Sequence, residues 1–452
     1  MPTCPALMIS APASGQGKTS VTAALARAAR RQGRRVRVFK TGPDYLDPMV
    51  LERASGHPVY QLDLFMAGLE ACRQLLAQAA ADADLILVEG VMGLFDGQPS
   101  SADLAAAFGL PVLAVLDASG MAQTFAALAT GLQRFRADIE VCGVVANRVG
   151  SEAHGRMLTQ GLPENLPLVA ALPRQDALSL PERHLGLIQA LEMPNLERQL
   201  ETWADAWDQV TAASGQSALQ FARPVSFTLS SDEAANTATY AAQPLKGRRI
   251  AVAQDACFSF IYPANLDTLK ALGAELRCFS PLAGEALPEC DALWLPGGYP
   301  ELHARALTGH PGFFASLRSH LQMDKPLLAE CGGMLCLLDQ LTDIEGTTHA
   351  MASLMPGHAR MQARLAALGL QSLAWPEGKL RGHSFHYSSL DTPLQAASRA
   401  HNPNGGRTAE ALYLQGSLRA SYVHHYFASN PEVVAAFFNR DRSTASHHCP
   451  PP

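Results

Sequence analysis

The chain has 452 residues, of which 48% are hydrophobic and 17% charged, with a formal net charge of −6. At roughly 150 residues per domain, that length sets two or three domains, each large enough to bury a core without staples. Ample apolar content at low charge excludes a disordered chain, the lack of a Gly-X-Y period excludes collagen, and mild acidity gives no sign of a nucleic-acid or membrane-surface partner.

Nine cysteines are scattered along the chain with no C-x-x-C pair. That spacing offers neither a disulfide framework nor a zinc ribbon and fits reduced thiols in a cytoplasm. The opening Met1-Pro2-Thr3-Cys4-Pro5 lacks the basic and apolar segments of a signal peptide. Between Leu104 and Gln133 the only charge is Asp117, but Pro111, Asp117 and Gly120 interrupt the stretch. It reads as a buried strand followed by an Ala-rich helix, not a membrane span.

Short apolar runs predict strands over 6–10, 35–40, 85–88, 112–116 and 141–146, with helices such as 19–31 and 70–80 between them. Continuous apolar runs suit parallel strands covered on both faces, so this is an α/β, doubly wound domain. A helix over 196–211 then gives way to Ala213-Ser214-Gly215-Gln216 and a polar stretch, which reads as a connecting segment. A second α/β unit starts at Arg249, with strands expected over 250–253, 275–279, 292–295 and 326–329. From 347 to 426 the texture is β-like, with turns at Pro356-Gly357 and Pro403-Asn404-Gly405-Gly406. The expected division is 1–191, a helix and linker over 192–247, 248–440, and a disordered tail over 441–452. The tail's His447-His448-Cys449 has metal-binding residue types, but three neighbours on a frayed end read as incidental.

Directly after the first strand, Ser10 to Thr19 form a Gly-rich turn that opens a helix. Gly15 and Gly17 free backbone N–H groups for phosphate, Lys18 would reach the β- and γ-phosphates, and the Thr19 hydroxyl would hold Mg²⁺. Pro12 stands where the usual first glycine would, which marks a variant loop. Glu89 closes the 85–88 strand, Asp96 follows in Gly93–Gly97, and Asp44 and Asp47 lie in the loop after the second strand. Any one of these acids alone reads as a cap or turn former. Four on one rim repel one another without a cation or cationic substrate groups, so beside a phosphate loop at least one or two point to metal, Glu89 and Asp47 with Thr19. Asn147, at the end of the fifth strand, reads either as an adenine contact or as a turn residue.

In the second unit, 326–335 is a strand, a tight turn Glu330-Cys331-Gly332-Gly333, and a helix. This is the pattern of a nucleophile elbow, in which a helix N-terminus lowers the thiol pKa of Cys331. The Gly332 amide and that of Gly298, from the strand-end loop Pro296-Gly297-Gly298, are the candidate oxyanion donors. Ser421-Tyr422-Val423-His424-His425-Tyr426 supplies two candidate bases. The competing reading of Cys331 is a small buried hydrophobe.

Taken together, segments 11–19, 40–48, 88–97, 143–150, 180–187, 258–265, 297–303, 329–333, 381–387 and 421–427 resemble the cobyrinate a,c-diamide synthase family, nearly end to end from Ser10 to about Phe438. The Gly-Tyr-Pro-Glu-Leu-His and Gly-His-x-Phe-His-Tyr-Ser patterns are the specific ones. The resemblance implies a dethiobiotin-synthetase-like P-loop amidoligase domain, residues 1–191, fused to a flavodoxin-like class I glutamine amidotransferase domain, residues 248–440. It implies ATP- and glutamine-dependent amidation of the a and c acetates of a corrin ring, with hydrogenobyrinate or nickel-sirohydrochlorin as alternative substrates. Cys331 would attack glutamine, His424 would align with the family base, and ammonia would leave towards the N-terminal domain. Asp44 and Asp96 would orient substrate or support the metal. The triad glutamate of many class I enzymes would fall at position 426, which is Tyr here; the family works with Cys and His. Segment 381–387 lines the corrin site, lines an interface or simply packs. Implied partners are a corrinoid, L-glutamine and ATP, with no nucleic acid and no membrane, and a homodimer is left open. A reading from another class is a P-loop switch ATPase carrying an inactive glutaminase-like module; the intact elbow and His424 argue against it.

Overall fold

The computed structural model describes residues 2–174, 182–183, 186–187, 189–214, 218–227, 239–406 and 409–440. Most of the 180–187 motif, Gly215 and Gln216, and the tail with His447, His448 and Cys449 lie outside them. The chain divides into two compact units, Met1–Ser230 and Ser231–Pro452.

The first unit is built on a parallel sheet of strands β1 (Thr3–Ser10), β2 (Val36–Thr41), β3 (Tyr60–Leu62), β4 (Leu85–Glu89), β5 (Val112–Asp117), β6 (Val141–Val149) and β7 (Leu168–Pro173), in the order β3-β2-β4-β1-β5-β6-β7. The apolar runs are buried strands as expected: all five residues of β4 are out of water. The stretch around Pro111 is β5 flanked by helices Ser101–Phe108 and Thr124–Phe135, and among the described residues no helix is long and apolar enough to cross a membrane. Parallel pairing brings the carboxyl ends of β1, β2 and β4 to one rim, and the register sets Lys40 beside Glu89 and Glu89 beside Ile9.

Two described parts of the 192–247 segment pack on the first unit. Helix Leu196–Ser214 lays Leu200, Trp203, Ala204 and Trp207 into the same core as helix α1 (Lys18–Arg31). Its polar side meets α1 through Arg27–Glu197 at 2.8 Å, Arg27–Glu201 at 3.0 Å and Arg31–Asp205 at 2.7 Å. Strand Arg223–Ser226 pairs antiparallel with the first half of β1. The amphipathic period of this helix is what ties it to the first unit.

The second unit has a seven-stranded sheet in the order Glu275–Phe279, Arg249–Ala253, Ala292–Leu295, Leu327–Glu330, Leu418–Ser421, Ala411–Gln415, Ser398–Arg399. The first five are parallel, a flavodoxin-like order 2-1-3-4-5, and the last two antiparallel. Separate cores cover its faces, one around Leu293, Ala329, Cys331 and Tyr422, the other around Trp294, Trp375, Val423 and Phe427. The β-rich stretch supplies the last three strands of this sheet and, outside it, further strands including the hairpin Ala367–Trp375/Gly378–His386, which pairs with His424–His425.

Candidate active sites

In the first unit, β1 runs into a loop that closes on α1. Gly17 caps α1 with φ 93°, and a Cβ there would fall 2.2 Å from Asn147 Nδ2. Only glycine fits that approach. Asn147 Nδ2 donates to Gln16 O (2.9 Å) and its Oδ1 accepts from Arg148 N (3.0 Å). Asn147 thus braces the loop from β6 through Nδ2, while its Oδ1 is taken by the neighbouring β6 amide, a role neither sequence reading named. Gly15, φ 76°, sits in open space. Lys18 Nζ donates to Ala13 O (3.0 Å) and Met92 O (2.6 Å). Burial and the nearby charge of Lys40 press its pKa down to about 8.

The acids behave differently from a bare carboxylate rim. Lys40, at the end of β2 and 1% exposed, donates to Glu89 Oε1 and Asp47 Oδ2, both at 2.5 Å, with Asp44 Oδ2 at 3.4 Å. This internal cation, not singled out from sequence, supplies the counter-charge the carboxylates need. Its only sequence signal is a lysine ending an otherwise apolar strand ahead of two aspartates. Burial opposes its charge, but Asp47, Glu89 and Asp44 outweigh burial and hold its pKa well above the ordinary value. Asp44 is raised to about 7 by burial and by Asp47. Asp47 is lowered, because the charge and bond of Lys40 overcome burial. Glu89 is raised by burial, with Lys40 opposing.

Asp96 is not among the carboxylates paired with Lys40. It is exposed, its Oδ2 accepts from Gly93 N (2.9 Å), and its charge is felt at Lys18. A three-residue local turn bond satisfies it where Lys40 satisfies the others.

Thr19 Oγ1 donates to Glu89 Oε1 (3.1 Å), while Glu89 Oε2 is buried with no hydrogen-bond partner. An unsatisfied buried carboxylate oxygen beside a helix-start hydroxyl fits a hard cation that completes its shell with water and phosphate oxygens. Among the described residues no three His, Cys, Asp or Glu groups would hold an ion by themselves.

In the second unit the elbow forms as the motif implies. Cys331 has φ 43° and ψ −109°, follows strand Leu327–Glu330, precedes helix Gly332–Leu335, and donates its N–H to Ser421 O (2.8 Å). A positive φ at a non-glycine residue is costly and is found where a side chain must be presented sharply. The turn packs against the 296–298 loop: a Cβ on Gly332 would fall 2.9 Å from Gly298 N, so the two candidate oxyanion amides are neighbours. The thiol, however, is not lowered. Burial and then Glu301 push its pKa well up, and the Gly332 N–H offsets only part of this. A four-residue helix is too short for the expected dipole effect to win.

The adjacent histidines point to opposite sides. His424 lies against Gly297, where a Cβ would come 2.2 Å from its Cε1, and near Phe260, centroids 5.9 Å apart. Burial first, then His383, His425 and His386, hold its pKa well below the ordinary imidazole value. His425 faces the other core. Its Nδ1 donates to Glu330 Oε1 (2.8 Å), its N–H to the same oxygen (2.9 Å), and Trp375 Nε1 donates to its Nε2 (3.3 Å). Trp294 Nε1 donates to Glu330 Oε2 (2.9 Å). Every polar atom of His425 is used, so it is a strut and not a free base. The sequence offers two candidate bases and the resemblance aligns His424 with the family base; strand alternation sends the two side chains to opposite sides.

Two α/β units, one with a phosphate-type loop and one with a cysteine elbow, set the class, and comparison with known proteins names it. Residues 7–188 match the CobQ/CobB/MinD/ParA nucleotide binding domain and residues 249–432 the CobB/CobQ-like glutamine amidotransferase domain. Over 433 residues the chain is 57% identical to the hydrogenobyrinate a,c-diamide synthase of Stutzerimonas stutzeri (96% of this chain, 98% of that one). It is 54% identical to the hydrogenobyrinate a,c-diamide synthase of Pseudomonas aeruginosa (96% and 97%) and 49% identical to the cobyrinate a,c-diamide synthase of Herminiimonas arsenicoxydans (96% and 96%). The chain belongs to this a,c-diamide synthase family.

Proposed function

We propose that the protein converts the a and c acetate carboxylates of a cobyrinate-type ring to amides, taking nitrogen from glutamine and energy from ATP. The observation that carries this reading is the presence, in one chain, of the braced phosphate loop with its buried acids and of the Cys331 elbow, whose Gly332 lies against Gly298 while His424 lies against Gly297, in a family whose members are named for that reaction.

Cys331 attacks the carboxamide carbon of glutamine as its proton passes to His424, and the oxyanion is met by the Gly298 and Gly332 amides. His424 gives the proton to the departing ammonia, and water releases glutamate from the thioester. In the other unit, a substrate carboxylate attacks the γ-phosphorus of ATP and ADP leaves. Ammonia then displaces phosphate from the acyl phosphate, once at each acetate. Gly15, Gly17 and Lys18 cradle the phosphates. Thr19, Glu89 and Asp47 would hold Mg²⁺, which neutralises and aligns the β- and γ-phosphates when bound. Asn147 keeps the loop in shape, and Asp44 and Asp96 flank the reacting end. The cysteines, all free among the described residues, support a cytoplasmic setting.

Relatives of 57% and 54% identity named for hydrogenobyrinate favour the cobalt-free ring as the preferred substrate. The test is mass spectrometry of products after parallel incubation with hydrogenobyrinate and cobyrinate, each with ATP, Mg²⁺ and glutamine. Diamide from one or both is expected; no diamide from either would overturn the proposal.

A further inference from the structure

The question left by the site is what orients the base, since position 426 holds no acid. Tyr426 is buried and packs its ring against Tyr262, centroids 5.5 Å apart. The hydroxyl of Tyr262, itself fully buried, is 2.9 Å from His383 Nδ1. The His383 ring stacks on His424 with centroids 4.9 Å apart and an interplanar angle of 18°. His383 and His424 are directly opposite in an antiparallel pair, so the backbone fixes this stack. The strands approach so closely that a Cβ on Gly382 would lie 2.0 Å from His424 O. With Gly297 against Cε1 and Nδ1, the His424 ring has contacts on more than one side.

We infer that His383, held by Tyr262, is a positioning residue that fixes the ring of His424, taking over by packing the orienting work that a triad carboxylate does elsewhere. This rests on the reading of His424 as the glutaminase base. A neutral aromatic neighbour suits the role. Burial lowers the pKa of His383 to about 3, so it stays uncharged near neutral pH. The titratable groups felt at His424 are His383, His425 and His386. The specificity of 382–388 in the sequence thus has a purpose in the glutaminase half.

Four variants test this: His383→Ala, His383→Phe, Tyr262→Phe and His424→Ala, each assayed for glutamine hydrolysis and for ammonia-driven amidation. His383→Ala should lower the glutaminase kcat about tenfold or more with KM nearly unchanged, since the ring is misplaced and not the substrate. Water entering beside His424 should raise its pKa, moving the acid limb of kcat/KM to higher pH. His383→Phe refills the slot and should recover most of the kcat, while Tyr262→Phe should lie between parent and His383→Ala. Ammonia-driven amidation should be unchanged in His383→Ala, His383→Phe and Tyr262→Phe. Parent kcat and acid limb in His383→Ala, a loss shared by the ammonia reaction, or no recovery in His383→Phe would overturn the inference. If His383→Ala fails to fold, an unchanged glutaminase in Tyr262→Phe overturns it instead. Glutaminase activity surviving in His424→Ala would sink the underlying reading of the base, independently of His383.

Discussion

Lys40 Nζ and Glu89 Oε1 sit 2.5 Å apart with both side chains withdrawn from water. Adjacent parallel strands place them side by side; Asp44 joins from the loop that follows β2, and Asp47, expected in that loop, joins from the first turn of helix Leu46–Ser55. Lys40→Met keeps the bulk and removes the charge, leaving three buried or half-buried carboxylates without their cation. The first unit should lose about 3–5 kcal/mol. In the variant, Glu89 and Asp44 take up protons more readily folded than unfolded, so stability falls as pH rises from about 4 through their raised folded values. Hydrogen exchange of the β2 and β4 amides at pH 5 and pH 8 checks this: the deficit should be smaller at pH 5, and an equal deficit at both would contradict it.

Glu89→Gln retains shape while removing the charge that faces Thr19 and Lys40. Amidation should fall at least about a hundredfold with either glutamine or ammonia, because the phosphoryl step is affected. Glutamine hydrolysis assayed alone should largely persist. Calorimetry should show weaker Mg²⁺–ADP binding, and normal amidation by this variant would remove Glu89 from the site.

Much of this was legible in the sequence. The apolar strands, the loop at Gly15–Thr19 and the Glu330–Gly333 elbow all depend on local residue types, and local patterns carry them. Lys40 as counter-ion was not legible, because its partners meet it only across a strand register. The raised pKa of Cys331 depends on burial and on Glu301, which lies on another element. The opposite duties of His424 and His425 follow from pairing with Gly382 and His383, forty residues away by chain. The helix at Leu196–Ser214 was found, but its docking on α1 through Arg27 and Arg31 is a tertiary choice that composition does not record.

His425 and His424 should fail differently. His425→Ala removes the Nδ1 bond to buried Glu330 and leaves Trp375 Nε1 without its acceptor, while the backbone N–H at 425 stays on Glu330, which should cost about 1–3 kcal/mol of stability in the second unit. His424→Ala should melt close to the parent and yet lose glutaminase activity. Thermal denaturation alongside the glutaminase assay separates the two. A fully folded, inactive His425→Ala with an active His424→Ala would reverse the assignment.

Cys331 should be sluggish in the free protein. Burial raises its thiol pKa, so the thiolate is scarce at neutral pH and grows as pH climbs past 9. Iodoacetamide labelling of Cys331, followed by peptide mass spectrometry, should therefore quicken steadily from pH 7 to pH 10. A rate already level at pH 7 would show a thiolate stabilised in the resting site.

The central claim is that two chemically separate sites share one chain, and the most direct measurement is diamide formation by Cys331→Ser and Lys18→Ala with each nitrogen source. A serine hydroxyl cannot be activated as a thiol is, so Cys331→Ser should make no diamide from glutamine. It should still make diamide, consuming ATP, from ammonium salt at a pH where free ammonia exists. Lys18→Ala should make none from either source, since no acyl phosphate forms. A Cys331→Ser protein that uses glutamine as well as the parent, or that binds ATP and substrate and still makes nothing from ammonia, would contradict the account.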